Sequence, residues 1–191
     1  MTKTELRKDI KSRLIGMNDI DRAEQSKKIC ASLTQLKEFR RSGVIMIFLS
    51  LPHEIDTAPI ILNAWQQGKT VAVPKVSWQQ RHMIPVQINS LETGFSTDGF
   101  GLKNPTTGLP VPIEDIDFVV TPGLGFDRKG NRLGRGGGYF DRFFSNDTLR
   151  AVKCGICFSE QIVDEVPMDE TDIPVDMLIT DKEILIFNQP Q

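Results

Sequence analysis

The chain has 191 residues, 39% of them hydrophobic and 25% charged, with a formal net charge of −2. That length can bury a sizeable core and reads as a single domain over 1–191, while a charge so near balance argues against nucleic acid as the main partner, which needs a basic footprint. No apolar run approaches the ~18 residues of a membrane span and the charged N-terminus lacks an apolar signal segment, so the expectation is a cytoplasmic protein with no membrane partner, a monomer rather than an obligate oligomer, with its three cysteines reduced.

Thr2 and Glu5 have the spacing of a capping box. Leu6, Ile10 and Leu14 follow at four-residue intervals and predict an amphipathic first helix. Lys3, Arg7 and Lys11 share another stripe of it. Lys11 reads as part of a solvated face. Lys3 sits in the first turn, where the helix dipole disfavours a cation and a bound anion would offset the cost. A second helix is predicted over 18–39, carrying Ile29, Leu33 and Leu36, and the apolar run 44–49 is a buried strand. Thr57 is expected to cap the next helix, with Pro59 in its first turn, Ile60, Ile61, Ala64 and Trp65 facing inward, and Gly68 at its end. Asp56 and Thr57 are both better placed than Glu54 to cap it, which leaves Glu54 for another partner, and His53 reads as a surface residue. Residues 71–73 form the next strand, and this β-α-β order predicts a parallel sheet with a right-handed crossover.

Residues 83–88 read as a further strand. The stretch 92–116 is rich in Gly, Pro and Thr and reads as a long loop, of the kind that closes over a substrate. Residues 118–120 end another buried strand, 139–144 start a helix, and 151–158, 177–180 and 184–187 complete the strand set. The fold class is therefore α/β, a mainly parallel open sheet flanked by helices, with a long glycine-rich loop at the carboxyl end of one strand. Cys154 and Cys157 have Cys-x-x-Cys spacing but lie on a strand, where residues three apart point to opposite faces. They read as packing residues rather than zinc ligands.

That loop is the most informative part of the chain. Pro122-Gly-Leu-Gly-Phe-Asp127 is followed by Arg132-Leu-Gly-Arg-Gly-Gly-Gly-Tyr-Phe-Asp141. Gly134, Gly136, Gly137 and Gly138 let backbone N–H groups come close to an anion. Arg132 and Arg135 bring planar guanidinium donors suited to phosphate oxygens. Asp141, in the first turn of the helix, is the best candidate to hold Mg²⁺ against those oxygens. The parts suit a nucleoside triphosphate such as ATP. No Lys-[Ser/Thr] closes the glycine run, which excludes a Walker A loop, and position 139 lacks the third glycine of a dinucleotide fingerprint.

At these residues the chain resembles the 5-formyltetrahydrofolate cyclo-ligase family, whose hallmark is an Arg-hydrophobe-Gly-x-Gly-x-Gly-Tyr-Tyr-Asp run after Pro-Gly-x-x-Phe-Asp. Lys3-Thr-Glu-Leu-Arg7 is similar to the family's basic opening helix, which implies that Lys3 and Arg7 contact ATP phosphates. Phe48-Leu-Ser-Leu-Pro-His-Glu54 resembles the strand and loop that meet the folate, which implies Leu49 and Glu54 as substrate contacts; a carboxylate can accept two hydrogen bonds from a pterin's amino-pyrimidinone edge. Asp172-Ile-Pro-Val-Asp176 resembles the segment that supplies a second acid to the metal region, and either Asp172 or Asp176 can fill that part. Some members carry Lys where Gly137 stands, and Phe140 replaces the second tyrosine.

The resemblance implies ATP- and Mg²⁺-dependent closure of 5-formyltetrahydrofolate to 5,10-methenyltetrahydrofolate, with Arg135 and Tyr139 as catalytic residues. Two rival readings use the same residues. One is a small-molecule kinase or NTPase, which would leave a stable phosphorylated product. The other is a folate- or nucleotide-binding module without turnover.

Overall fold

A computed structural model describes residues 1–99 and 101–187. Position 100, inside the 92–116 stretch, and residues 188–191 of the expected 1–191 domain lie outside the described residues. The chain opens with helices α1 (Lys3–Gly16), α2 (Asp19–Gln35) and α3 (Lys37–Arg41), then strand β1 (Val44–Ile47), helix α4 (Ala58–Gln66) and strands β2 (Thr70–Ser77) and β3 (His82–Gln87). Short strands β4 (Phe95–Thr97) and β5 (Lys103–Pro105) follow, then β6 (Phe118–Thr121), β7 (Gly125–Phe126), β8 (Arg132–Leu133), helix α5 (Tyr139–Phe144) and strands β9 (Val152–Ile156), β10 (Met177–Ile179) and β11 (Ile184–Ile186).

Seven strands form one sheet in the order β11-β10-β9-β6-β1-β2-β3. The five inner strands run parallel, and only the edges β3 and β11 are antiparallel. Alternation along β1 separates the two faces. Ile45 and Ile47 pack with Leu6, Ile10, Leu33 and Ile61 of α1, α2 and α4. Met46, between them, packs on the other face with Phe143 and Phe144 of α5. Cys154 and Cys157 are buried in separate clusters, and burial pushes both thiols up, so neither offers a ready thiolate. No helix among the described residues is long and apolar enough to cross a membrane.

Several local expectations give way to packing. The helix predicted over 18–39 breaks at Leu36, whose ψ of 137° is extended. The Thr34 hydroxyl bonds back to the carbonyl of Cys30, and the turn drives Phe39 into the core edge-on to Phe118. Thr57 stands at the N-cap of α4 as expected but makes no side-chain cap bond: its hydroxyl donates to the carbonyl of Phe48, and Asp56 accepts from Ala58 N–H. The 92–116 stretch contains the β4–β5 hairpin, whose three-residue strands are too short for a pattern to register.

The segment between β6 and α5 is also not one open loop. It folds into the β7–β8 hairpin around Asp127, which is fully buried. The Asp127 carboxylate accepts from the backbone N–H groups of Lys129, Asn131 and Val166 and from the Asn131 amide. Those four bonds offset the cost of burying the charge. Asp127→Ala leaves the donors unpaired and is expected to destabilise the protein by about 3 kcal/mol in urea unfolding; an unchanged midpoint would show that the hairpin holds without the carboxylate.

Candidate functional site

The carboxyl ends of β1 and β6, with the outer part of β2, face a cavity of about 500 Å³. Ligands of open α/β sheets sit at this end of the strands. Arg132 of β8 is buried beside the cavity, with 6% of its surface exposed. One nitrogen, Nη2, donates to both carboxylate oxygens of Asp141 on α5 at 2.9 Å. The guanidinium lies over the Phe140 ring at 5.6 Å, Nη1 reaches the Pro122 carbonyl only at 3.4 Å, and Nε has no partner among the described residues. Much of its donor capacity is therefore unspent. A Cβ at Gly134 would come within 2.9 Å of Arg132 Nη1, so any side chain there would require the guanidinium to shift.

The rest of the glycine run is shaped the same way. Gly136 and Gly138 have φ of 108° and 63°, a region that L side chains rarely adopt. A Cβ at Gly137 would strike the Tyr139 ring at 2.7 Å, so a lysine at this position would require that ring to move. Tyr139 stands edge-on to Trp78, with centroids 5.5 Å apart, and the Arg142 guanidinium lies 5.1 Å from its centroid. Arg135 donates from Nη2 and Nε to Glu54 Oε1 at 2.6 and 3.2 Å, while Glu54 Oε2 accepts from Leu51 N–H and closes its own turn.

Leu49, Glu54, Arg132, Gly134, Arg135, Gly137, Gly138, Tyr139 and Asp141 all line the cavity. Lys3, Arg7, Gly136 and Asp172 stand outside its lining. Arg7 Nε donates to the Gly134 carbonyl at 2.8 Å and lies under Gly136, tying α1 to the glycine loop. Lys3 is bonded to Asp169 at 2.6 Å and to Asp172. The next residue, Ile173, donates its N–H to Asp141 Oδ1 at 3.3 Å, which sets Asp172 beside the Arg132–Asp141 pair. Asp176 turns away to Lys153.

The sequence profile of the 5-formyltetrahydrofolate cyclo-ligase family matches residues 1–181. The chain belongs to that family. It is 31% identical to the 5-formyltetrahydrofolate cyclo-ligase of Mus musculus over 184 residues, covering 91% of each chain. With the cyclo-ligase of Haemophilus influenzae it shares 30% over 181 residues, 93% of this chain and 95% of the relative. The solved 5,10-methenyltetrahydrofolate synthetase of Aquifex aeolicus matches with a TM-score of 0.85 and 31% identity, covering 100% of this chain and 95% of that one. The synthetase from Mycoplasma pneumoniae, at 22% identity and a TM-score of 0.78, shares the fold. The protein is accordingly an enzyme of the cyclo-ligase class.

Within this cyclo-ligase the acids are committed to cations. Among the described residues no group of three or more His, Cys, Asp or Glu side chains stands ready for a metal. Asp141 and Asp172 are the carboxylates here that could hold Mg²⁺, an ion that takes one or two carboxylates together with phosphate oxygens. Asp172 offers an oxygen, because Lys3 and Asp169 N–H both bond to its Oδ2. The apolar wall was not legible in the sequence. Pro74, Val76, Trp78 and Met83 of β2, β3 and their turn line the cavity, and no local pattern distinguishes them from other strand residues.

Burial opposes the charge of Lys3, but the bonds to Asp169 and Asp172 outweigh it and raise the lysine's pKa. Burial also pushes the Asp172 carboxyl up and is outweighed by Asp169 N–H, Lys3 and the Arg132 charge, which hold it below the ordinary carboxylate range. A depressed Asp172 stabilises the fold above its unfolded pKa of about 3.9, and this is lost as pH falls through the lower folded value. A raised Lys3 contributes below about 10.4, and this is lost as pH rises through the higher folded value. The stability difference between the unaltered protein and Asp172→Asn should stay level between about pH 5 and pH 10 and shrink on both sides. Urea midpoints across pH measure it, and a difference independent of pH contradicts the pairing.

Proposed function

We propose that the enzyme uses ATP and Mg²⁺ to convert 5-formyltetrahydrofolate to 5,10-methenyltetrahydrofolate, releasing ADP and phosphate. One observation carries the reading: Arg132, Arg135, Gly134, Gly137 and Gly138 share a single cavity with Leu49, Glu54 and Tyr139. A wall of guanidinium and glycine groups thus meets carboxylate and apolar groups suited to a reduced pterin.

The chemical problem is a poor leaving group. A formamide oxygen does not depart when the second folate nitrogen attacks its carbon. The formyl oxygen first attacks the γ-phosphorus in line, the bond to the β–γ bridging oxygen breaks, and ADP leaves. The product is an iminium phosphate at N5. N10 then attacks the formyl carbon, loses its proton, and the C–O bond breaks to expel phosphate and leave the methenyl bridge.

Phosphoryl transfer depends mainly on positioning and charge compensation. Arg132 brings donors that Asp141 does not consume, and Asp141 keeps its guanidinium oriented. Arg135 is about half exposed and its ion pair opens as ligands enter, passing Arg135 to phosphate and Glu54 to the two donors of the pterin. Tyr139, braced by Trp78 and Arg142, packs on the folate next to the reacting group. Arg7 and Lys3 hold the glycine loop and the 169–172 segment in place from behind and reach the outer phosphates. Mg²⁺, when bound with the nucleotide, compensates phosphate charge, with Asp141 and Asp172 as the residues that would hold it.

Arg135→Ala is expected to lower the rate of methenyl formation by about 100-fold or more, as for other donors that act mainly in the transition state. Near-normal turnover would remove it from the reaction. Asp141→Asn should raise the Mg²⁺ concentration needed for nucleotide binding in a fluorescence titration; an unchanged titration would remove Asp141 from the metal's surroundings.

A further inference from the structure

Three cations and two carboxylates line the cavity: Arg132, Arg135 and Lys103 against Asp141 and Glu54. Asp141 compensates Arg132 and Glu54 compensates Arg135. Lys103 has no carboxylate partner among the described residues. Its ammonium lies instead 6.0 Å from the centroid of the Phe95 ring. The cavity wall therefore carries one excess positive charge, and it resides on Lys103.

The backbone holds this lysine in place. Lys103 pairs with Thr97 across the β4–β5 hairpin. The neighbouring Asn104 fastens that hairpin to the main sheet: its Oδ1 accepts from Val76 N–H at 2.8 Å and its Nδ2 donates to the Val76 carbonyl at 3.0 Å. β1 pairs with β2 only as far as Ala72, so beyond it the β2 edge is open and a side-chain amide supplies the missing ladder partners. Lys103 thus sits on the wall of Pro74 and Val76, whereas Arg132 and Arg135 come from the β7–β8 hairpin and the glycine loop.

We infer that Lys103 is a specificity residue that receives a terminal carboxylate of the substrate's aminobenzoyl-glutamate tail, an inference that rests on the folate reading above. The substrate class has three chemical sections: a hydrogen-bonding heterocycle, an apolar aryl group and an anionic end. The lining offers three counterparts: ion-paired groups, an apolar wall and one uncompensated cation. The positive Lys103 would otherwise be a solvated surface charge, indifferent to the tail.

The test compares 5-formyltetrahydrofolate with its analogue lacking the glutamate, 5-formyltetrahydropteroate. For each, kcat/KM is measured with the unaltered protein, Lys103→Ala and Lys103→Arg. The ratio of the full to the truncated substrate is expected to fall about fivefold in Lys103→Ala, the upper range for a partly exposed ion pair, and to be retained in Lys103→Arg. A ratio unchanged by Lys103→Ala, even with both values lowered, overturns the inference and assigns the lysine to the hairpin alone. Absence of methenyl product from the unaltered protein would instead overturn the reading on which it rests.

Discussion

A buried guanidinium held by one carboxylate organises the mouth of this sheet. Arg132 belongs to a two-residue strand and Asp141 to a six-residue helix, elements too short to be stable by themselves. Their ion pair joins them across the glycine run. Removing either partner would leave an uncompensated charge where water is scarce, a far larger penalty than losing a surface pair. The glycines suit the pair: position 134 leaves room for the guanidinium, and positions 136 and 138 turn the backbone through left-handed conformations on the way to Asp141.

Two further ion pairs surround the first. Lys3 meets Asp169 and Asp172 on one side, and Arg135 meets Glu54 on the other. Lys3, Arg132 and Arg135 are thereby each matched to an acid, and Arg7 bonds the Gly134 carbonyl, so the loop keeps its shape without an anion to hold it. On the proposed function, a nucleotide competes for the cations while its metal competes for the acids, and both exchanges draw on groups already in position. The inner layer is packed against the cavity, and the outer layer, Arg7 and Lys3, braces it from α1.

The legible parts of the molecule are those whose partners are near in sequence or repeat with a period. The parallel strands announced themselves as apolar runs, and α1 by its capping box and its Leu6, Ile10, Leu14 spacing, all of which are buried as expected. The glycine loop was legible because its arginines and Asp141 lie within ten residues of one another. Pairings across long separations were not. Arg135 and Glu54 are 81 residues apart, and Lys3 and Asp172 are 169 apart, so nothing local marks them as partners. Asp127 read as one more residue of a motif, yet its burial with four donors creates the β7–β8 hairpin. The Leu36 break and the diversion of the Thr57 hydroxyl from the α4 cap to the Phe48 carbonyl reflect tertiary packing overriding local preference.

The most direct test of the account is absorbance at the methenyl-folate band after mixing purified protein with 5-formyltetrahydrofolate and Mg²⁺, with and without ATP. Growth of the band is expected only when ATP is present, matched by equal release of ADP and phosphate. ATP consumption that leaves a stable phosphorylated folate, or tight binding of both ligands with no growth of the band, would contradict it.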